Sequence, residues 1–553
     1  TRSPWMIIGD HAAVTMEGAD SYVGEQTPRI TLHQEEGPAG ILQERLGLVD
    51  GREYSGRIVL SGDASAAPIT VSLVWGGGAG DRDTVTIDSL PQDYEKFPLE
   101  FRSGRSTDNG RLEITGHGTG SFKIGTVSLM PSDNILGWRK DTVALLKELD
   151  SPVYRWPGGN FVSGYDWKDG IGDRDQRPPR KNPAWKGIEH NDVGIHEFMD
   201  LCREIGTEAY IAVNTGLGGI EAAAEEVEYL NGTVETPMGK LRAENGHPKP
   251  FGVKWWAVGN EMYGDWQLGH MPLEEYTKKH NLVVEAMRRV DPSIYPVAVG
   301  SMGEWSSRML SDCSEHMDLI SEHLYWQDRD SVVEHVAQAV SSIRQVADAH
   351  RQYRKELDVL KGKDIRIALD EWNYWYGPNE YGELGVRYFL QDALGIAAGL
   401  HEMFRNSDMF FMANYAQTVN VIGAIKTTPT EAEFAATGLV LKLYRQHYGA
   451  IPVTVEGDFG DLDITAALTE DQTGLTVAVV NPTEDQAAVP VSLTGNELSG
   501  TARAWTLTGK DRWAYNAPGK APMIQIDERS FDGPLEKLEV PPLSVTLYWL
   551  PIK

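Results

Sequence analysis

Trp256-Ala-Val-Gly-Asn-Glu261 and Ile367-Ala-Leu-Asp-Glu-Trp372 each read as a short apolar strand that ends on a glutamate. In a parallel β/α barrel the strands are apolar runs whose C-terminal ends open onto the reactive face, so an acid at that end is placed for chemistry. Glu261 and Glu371 are therefore the candidate catalytic pair. A lone acid at a strand end is more often half of a surface ion pair; the Asn before Glu261 and the flanking tryptophans argue for the catalytic reading here.

Working outward, apolar strands recur at Val153-Tyr-Arg-Trp, Ala209-Tyr-Ile-Ala-Val, Lys254-Trp-Trp-Ala-Val, Tyr295-Pro-Val-Ala-Val, Leu319-Ile-Ser, Ile365-Arg-Ile-Ala-Leu and Met409-Phe-Phe-Met-Ala. Helical periodicity separates them, over Trp138 to Leu149, Val193 to Ile205, Leu273 to Val290 and Ser331 to His350. This alternation predicts a (β/α)8 catalytic barrel over residues 132–449. Only seven strands are legible. Residues 1–131 instead carry short alternating strands such as Arg29-Ile-Thr-Leu, Arg57-Ile-Val-Leu, Ile69-Thr-Val-Ser-Leu-Val-Trp and Phe122-Lys-Ile-Gly-Thr-Val-Ser-Leu. They predict a β-sandwich resembling a carbohydrate-binding module. The Gly76-Gly-Gly-Ala-Gly stretch within it has no Lys-Ser/Thr after it and opens no helix, so it reads as a strand connection and not a phosphate loop. Residues 450–553, with Leu475-Thr-Val-Ala-Val-Val and Leu543-Ser-Val-Thr-Leu-Tyr-Trp-Leu, predict a second sandwich.

With 553 residues the chain is too long for one core. No apolar run approaches the ~20 residues of a membrane span, so it reads as soluble, with no membrane partner. A formal charge of −29 argues against nucleic acid, whose phosphates are gripped by clustered Lys and Arg. Sixteen Trp and 21 Tyr suit an oligosaccharide or polysaccharide substrate, although large cores use the same residues. Cys202 and Cys313 give neither a disulfide framework nor a metal cluster, and neither a metal nor another cofactor is expected. Thr1-Arg-Ser-Pro-Trp lacks the basic start and apolar core of a leader peptide, which leaves the compartment open.

The first legible barrel strand runs into Arg155-Trp-Pro-Gly-Gly-Asn-Phe161. Pro157-Gly-Gly turns the chain sharply and is expected to swing Asn160 over the barrel mouth. Taken in order, this motif, Gly259-Asn-Glu-Met262 and Asp370-Glu-Trp-Asn373 closely resemble glycoside hydrolase family 51, best known for α-L-arabinofuranosidases. Glu197-Phe-Met-Asp-Leu-Cys202, Ala212-Val-Asn-Thr-Gly216, Val227-Glu-Tyr-Leu-Asn-Gly232, Trp266-Gln-Leu-Gly-His270 and Met412-Ala-Asn-Tyr-Ala-Gln-Thr-Val-Asn-Val421 extend the resemblance from about Leu136 to Gly449.

The resemblance implies a retaining glycoside hydrolase in which Glu261 is the general acid/base and Glu371 the nucleophile. Asn260 would hold the sugar 2-hydroxyl and the nucleophile, and Arg155 and Asn160 would contact substrate or orient the carboxylates. His323 and Tyr325 would steady the nucleophile, and Trp266 and Gln417 would line the sugar pocket. Retention needs the carboxyl groups about 5–5.5 Å apart, with a raised pKa on Glu261 and an ionised Glu371.

Two departures bear on specificity and architecture. Typical members read Asp-Gly-Pro where this chain has Tyr263-Gly-Asp265, beside the acid/base. Longer members place the first barrel strand ahead of the N-terminal sandwich, whereas this sequence opens on the sandwich. That strand is expected to have been lost by truncation or processing, to be supplied by a separate N-terminal segment, or never to have existed. The leading reading is an exo-acting α-L-arabinofuranosidase acting on plant polysaccharides or oligosaccharides. An endo-β-1,4-glucanase, another furanosidase or a xylosidase on the same barrel is the alternative within catalysis, and a non-catalytic carbohydrate-binding protein the alternative outside it. Homo-oligomers occur in the family; the sequence does not fix assembly.

Overall fold

The computed structural model of the chain describes residues 3–33, 37–377, 385–533 and 535–553. Thr1 and Arg2, where the leader reading begins, lie outside the described residues. Two compact units are formed, one from Thr1–Val143, Asp166–Leu201 and Thr428–Glu431, the other from Ala144–Tyr165, Cys202–Thr427 and Ala432–Lys553.

In the first unit two five-stranded antiparallel sheets face each other. One runs Trp5–Ile8, Ala39–Leu48, Thr107–Gly116, Ile69–Val74, Arg82–Ile87; the other runs Val14–Glu17, Thr27–Leu32, Gly120–Pro131, Glu53–Gly62, Glu95–Arg102. Alternating residues such as Ile30, Leu60, Val71, Ile114 and Phe122 fill the space between them and are fully buried, each worth about 1.5–3 kcal/mol of burial. The glycine-rich stretch joins two adjacent strands, and Asp81 caps it by accepting from the Gly78 amide at 2.8 Å. Arg57 and Lys96 of the second sheet both bind Asp175, each at 2.6 Å. That buried aspartate belongs to the 166–201 segment, so this part of the sheet is covered by the protein itself.

The second unit is built on seven parallel strands in chain order: β1 (Val153–Trp156), β2 (Glu208–Val213), β3 (Trp255–Val258), β4 (Tyr295–Ala298), β5 (Leu319–Trp326), β6 (Arg366–Tyr374) and β7 (Phe410–Tyr415). They are the seven read from the sequence. β1 and β7 approach each other, but no ladder joins them, so the barrel is nearly closed and has seven strands among the described residues in place of eight. Trp5–Ile8 does not fill the gap, because it pairs with Ala39–Leu48 in the sandwich. Tyr210, Ala212, Ala257, Val297, Leu319 and Ala368 pack together in the barrel interior, and the small side chains among them leave its mouth to larger polar groups. Of the helices outside, α1 (Leu273–Val290) has the predicted bounds, and α2 (Val332–Glu356) starts where predicted, with Ser331 accepting from the Glu334 amide. No helix among the described residues is long and apolar enough to cross a membrane.

The C-terminal region forms a six-stranded antiparallel sheet with a two-stranded companion, Ala487–Pro490 with Lys537–Val540. It shares the compact unit of the barrel. His401 and Arg405 on α3 (Leu390–Arg405) both reach Asp463 of this sheet, and Arg512 donates to Gln391 and to the carbonyls of Arg329 and Asp330.

Candidate active site

β6 carries the decisive irregularity. Opposite β5 it pairs Ser321 with Ala368 and next His323 with Glu371, so one more residue lies on β6 than on β5 between the two pairs. In a regular strand Asp370 and Glu371 would point to opposite faces. The bulge turns both inward, as such irregularities do beside active sites. On β5 the ordinary alternation holds. Ser321, His323 and Tyr325 bond inward groups, whereas Glu322 faces the helices and binds Ser306 and His350.

Arg155, on β1, ties three strand ends together. Its Nη1 donates to Glu371 Oε1 at 2.9 Å, its Nη2 to Asn260 Oδ1 at 2.6 Å, and its Nε lies 3.5 Å from Asp370 Oδ2. Tyr325 donates to the other oxygen of Glu371 at 2.8 Å. Asn260 donates onward to Gln267, which donates to Ser163. The nucleophile candidate is thus held from two sides by donors that are themselves held.

Glu261 follows Gly259 and Asn260 in a turn that needs positive φ twice, +98° at Gly259 and +43° at Glu261. A side chain on Gly259 would run into the Thr215 hydroxyl at 2.1 Å, and a left-handed glutamate is strained by about 1–3 kcal/mol, the kind of cost that collects at functional sites. The Glu261 carboxylate accepts from Trp266 Nε1 at 2.6 Å, from His323 Nδ1 at 2.8 Å and from the Tyr263 hydroxyl at 3.3 Å. Tyr263, which opens the Tyr263-Gly-Asp265 stretch, thus adds a donor to the acid/base candidate. Gly264 is required beside it, because the Trp266 ring would sit 2.4 Å from any Cβ there.

One oxygen from Glu261, one from Glu371 and a ring nitrogen of His323 lie within 4.8 Å of one another. The far ring nitrogen, Nε2, faces Asp370 Oδ1 at 3.1 Å. Asp370 is buried and also accepts from Ser321 at 2.5 Å and Tyr210 at 2.8 Å. Burial disfavours a charged imidazole, but the carboxylates of Glu371, Asp370 and Glu261 outweigh it and hold the His323 pKa up at about 10. Burial likewise works against the Asp370 carboxylate, and Arg155, His323 and Ser321 overcome it to hold its pKa down at about 2.

The pKa expected for Glu261 is corrected by this geometry. Burial pushes it up, as an acid catalyst needs, yet the His323 donor and charge, Trp266 and Arg155 prevail and lower it. No metal-ligand cluster was read from the sequence, but folding brings Glu261, His323 and Glu371 together. His323 turns both ring nitrogens to carboxylates, Nδ1 to Glu261 at 2.8 Å and Nε2 to Asp370 at 3.1 Å.

Of the other candidates, Asn160 spends its amide on the backbone of the neighbouring loop, donating to the Trp266 carbonyl and accepting from the Leu268 amide, both at 2.8 Å. It reaches the site through Trp266, whose indole is 59% exposed. Gln417 is exposed on the loop after β7, where its backbone bonds Ile422 and Ala424. Asp370, Ser321, Tyr210 and Tyr263 were not foreseen as site residues. The one signal for Asp370 was the Asp-Glu doublet at the end of a strand.

Residues 145–354 match the family described as Alpha-L-arabinofuranosidase 1 domain, and residues 370–544 the Alpha-L-arabinofuranosidase C-terminal domain. An intracellular exo-α-(1→5)-L-arabinofuranosidase 1 of Bacillus subtilis is 35% identical over 414 residues, 69% of this chain and 82% of that protein. The chain belongs to the α-L-arabinofuranosidases of glycoside hydrolase family 51. It is a glycoside hydrolase. The solved structure of the Thermotoga maritima α-L-arabinofuranosidase in complex with arabinose superposes with a TM-score of 0.71 at 34% identity, over 75% of this chain and 90% of that one. The arabinose-bound family 51 enzyme MgGH51, at 17% identity, shares the fold across 100% of this chain and 91% of its own, with a TM-score of 0.82.

Proposed function

We propose that the chain is a retaining, exo-acting α-L-arabinofuranosidase that releases terminal arabinofuranosyl groups from plant polysaccharides or oligosaccharides, with Glu371 as nucleophile and Glu261 as acid/base. The observation that carries this is that one oxygen of Glu261 and one of Glu371 lie within 4.8 Å of each other. Retaining enzymes keep the pair about 5–5.5 Å apart, whereas inverting ones leave about 6.5–9.5 Å for a water molecule.

Glu371, braced by Arg155 and Tyr325, attacks the anomeric carbon while Glu261 protonates the departing oxygen. Water then takes the sugar off Glu371 with Glu261 as base. Trp266, exposed and bonded to Glu261, forms a flat wall beside the leaving group. Asn260, held by Arg155 and Gln267, is the residue assigned here to the sugar 2-hydroxyl. Residues 132–449 are read as the catalytic domain, and the cover that Asp175 places over Arg57 and Lys96 supports reading residues 1–131 as a brace. Among the described residues no ladder joins β1 to β7, which supports an eighth parallel strand from a segment outside residues 1–553; the intact mass of the native protein tests it.

The test of the activity is a panel of p-nitrophenyl glycosides. Release from α-L-arabinofuranoside and not from β-D-xylopyranoside, β-D-galactofuranoside or β-D-cellobioside is expected; preference for cellobioside would overturn the reading.

A further inference from the structure

We propose that Asp370 is a positioning residue that keeps His323 charged and aimed, making His323 the store from which Glu261 draws its catalytic proton. The inference rests on the retaining reading above. The lowered pKa of Glu261 leaves that reading with a gap, since an acid catalyst that rests as a carboxylate has no proton to give. The nearest group able to supply one is His323, whose Nδ1 lies 2.8 Å from Glu261 Oε1 and which is held charged by the carboxylates around it. Glu371, Asp370 and Glu261 together hold the ring charged, and Asp370, 3.1 Å from Nε2, aims it, being itself fixed by Ser321, Tyr210 and the nearby Arg155.

The charges balance through the cycle. At rest Glu261, Asp370 and Glu371 are carboxylates and His323 is an imidazolium. In the first step the bond from Glu371 to the anomeric carbon forms and the bond to the leaving oxygen breaks. The Nδ1 proton passes to Glu261 and on to that oxygen. His323 becomes neutral, keeping its Nε2 proton on Asp370, as Glu371 loses its negative charge in the ester. In the second step water attacks the anomeric carbon and the ester bond breaks, so Glu371 regains its charge. The water proton travels through Glu261 to Nδ1. The buried pocket therefore keeps the same net charge throughout, which avoids the large cost of creating an uncompensated charge in a poorly solvated site.

The coupling is built into the distances. Glu371 Oε2 lies 3.5 Å from Nδ1, and its charge is the largest influence holding the proton on His323. Esterifying Glu371 removes that hold at the moment the proton is needed. The groups facing the imidazole are Glu261 from the end of β3 and Asp370 and Glu371 from β6; Ser321 and Tyr325 on β5 bond Asp370 and Glu371. Arg155 from β1 and Tyr210 from β2 act through the carboxylates. Asp370 supplies the one anion among them that does not change during the reaction.

The test is Asp370→Asn in the full chain, assayed on phenyl, p-nitrophenyl and dinitrophenyl α-L-arabinofuranosides. Loss of general-acid supply is expected to cost roughly a hundredfold in kcat on the phenyl substrate, much less on the dinitrophenyl substrate, and to move the alkaline limb of kcat/KM to lower pH. An equal loss on all three with an unmoved pH profile would make Asp370 merely structural and overturn the proposal. Nitrogen NMR of the unaltered protein keeps the proposal falsifiable if the variant does not fold. At about pH 8, where free imidazole is neutral, both ring nitrogens of His323 are expected to be protonated, and a neutral ring would refute the assignment. A protein inactive on every arabinofuranoside but with a doubly protonated His323 would sink the substrate reading and uphold the role of Asp370.

Discussion

Two of the histidine–aspartate pairs in the second unit behave in opposite ways. His323 at the barrel mouth is held as an imidazolium up to about pH 10. His401, on α3 against the C-terminal sheet, is equally buried and closer to its aspartate, at 2.6 Å from Asp463, yet its pKa is lowered. The difference is the count of charges. Asp463 is shared with Arg405 at 2.5 Å, and the second nitrogen of His401 meets only the Tyr444 hydroxyl. His323 faces three carboxylates. Burial disfavours the charged ring in both places; surplus anionic charge reverses that in one and not in the other. Pairing alone makes a joint, and unbalanced charge makes a reactive pocket.

The largest effect that can break this comparison is Glu371→Ala, expected to reduce kcat by more than about 10⁴-fold as loss of a covalent nucleophile does. Steady-state rates on p-nitrophenyl arabinofuranoside check it. Glu261→Ala is expected to cost about 10²- to 10⁴-fold on poor leaving groups and little on activated ones, a dependence read from rates across substituted phenols.

At the joint, Asp463→Asn is expected to lower stability by about 1–3 kcal/mol, seen as a lower Tm, while leaving the dependence on leaving group unchanged. An altered leaving-group dependence would erase the distinction between the two pairs.

The smallest effect is the pH dependence of stability, where the two histidines carry opposite signs. The raised pKa of His323 contributes stability that is fully present below about 6.5 and is lost as pH rises through about 10. The lowered pKa of His401 does the reverse, so its contribution is lost as pH falls below about 6.5. Asp370 and Asp463, both near 2, add stability above about 3.9 that disappears as pH falls toward 2. Chemical denaturation across pH, repeated with His401→Gln, separates the two histidines: the variant is expected to flatten the acid side alone.

Much of this was legible in the sequence because it depends on local pattern. Apolar runs marked all seven strands, and their order put Arg155, Glu261, His323, Tyr325 and Glu371 at strand ends that the fold brings together. What was hidden depends on register and on partners distant in sequence. Nothing in Ile367-Ala-Leu-Asp-Glu says that a bulge turns Asp370 inward beside Glu371, since strict alternation would put one of them outside. Ala39–Leu48 escaped notice because its pairing with Thr107–Gly116 breaks register twice, blurring the alternation by which strands are recognised. The direction of the Glu261 pKa could not be read either, because it is set by His323, 62 residues away.

The central claim is that two close carboxylates work by double displacement, and methanolysis tests it most directly. With p-nitrophenyl α-L-arabinofuranoside and methanol as competing acceptor, proton NMR is expected to show methyl α-L-arabinofuranoside, with configuration retained through the Glu371 ester. Accumulation of the β-anomer would mean a single displacement and would contradict the account.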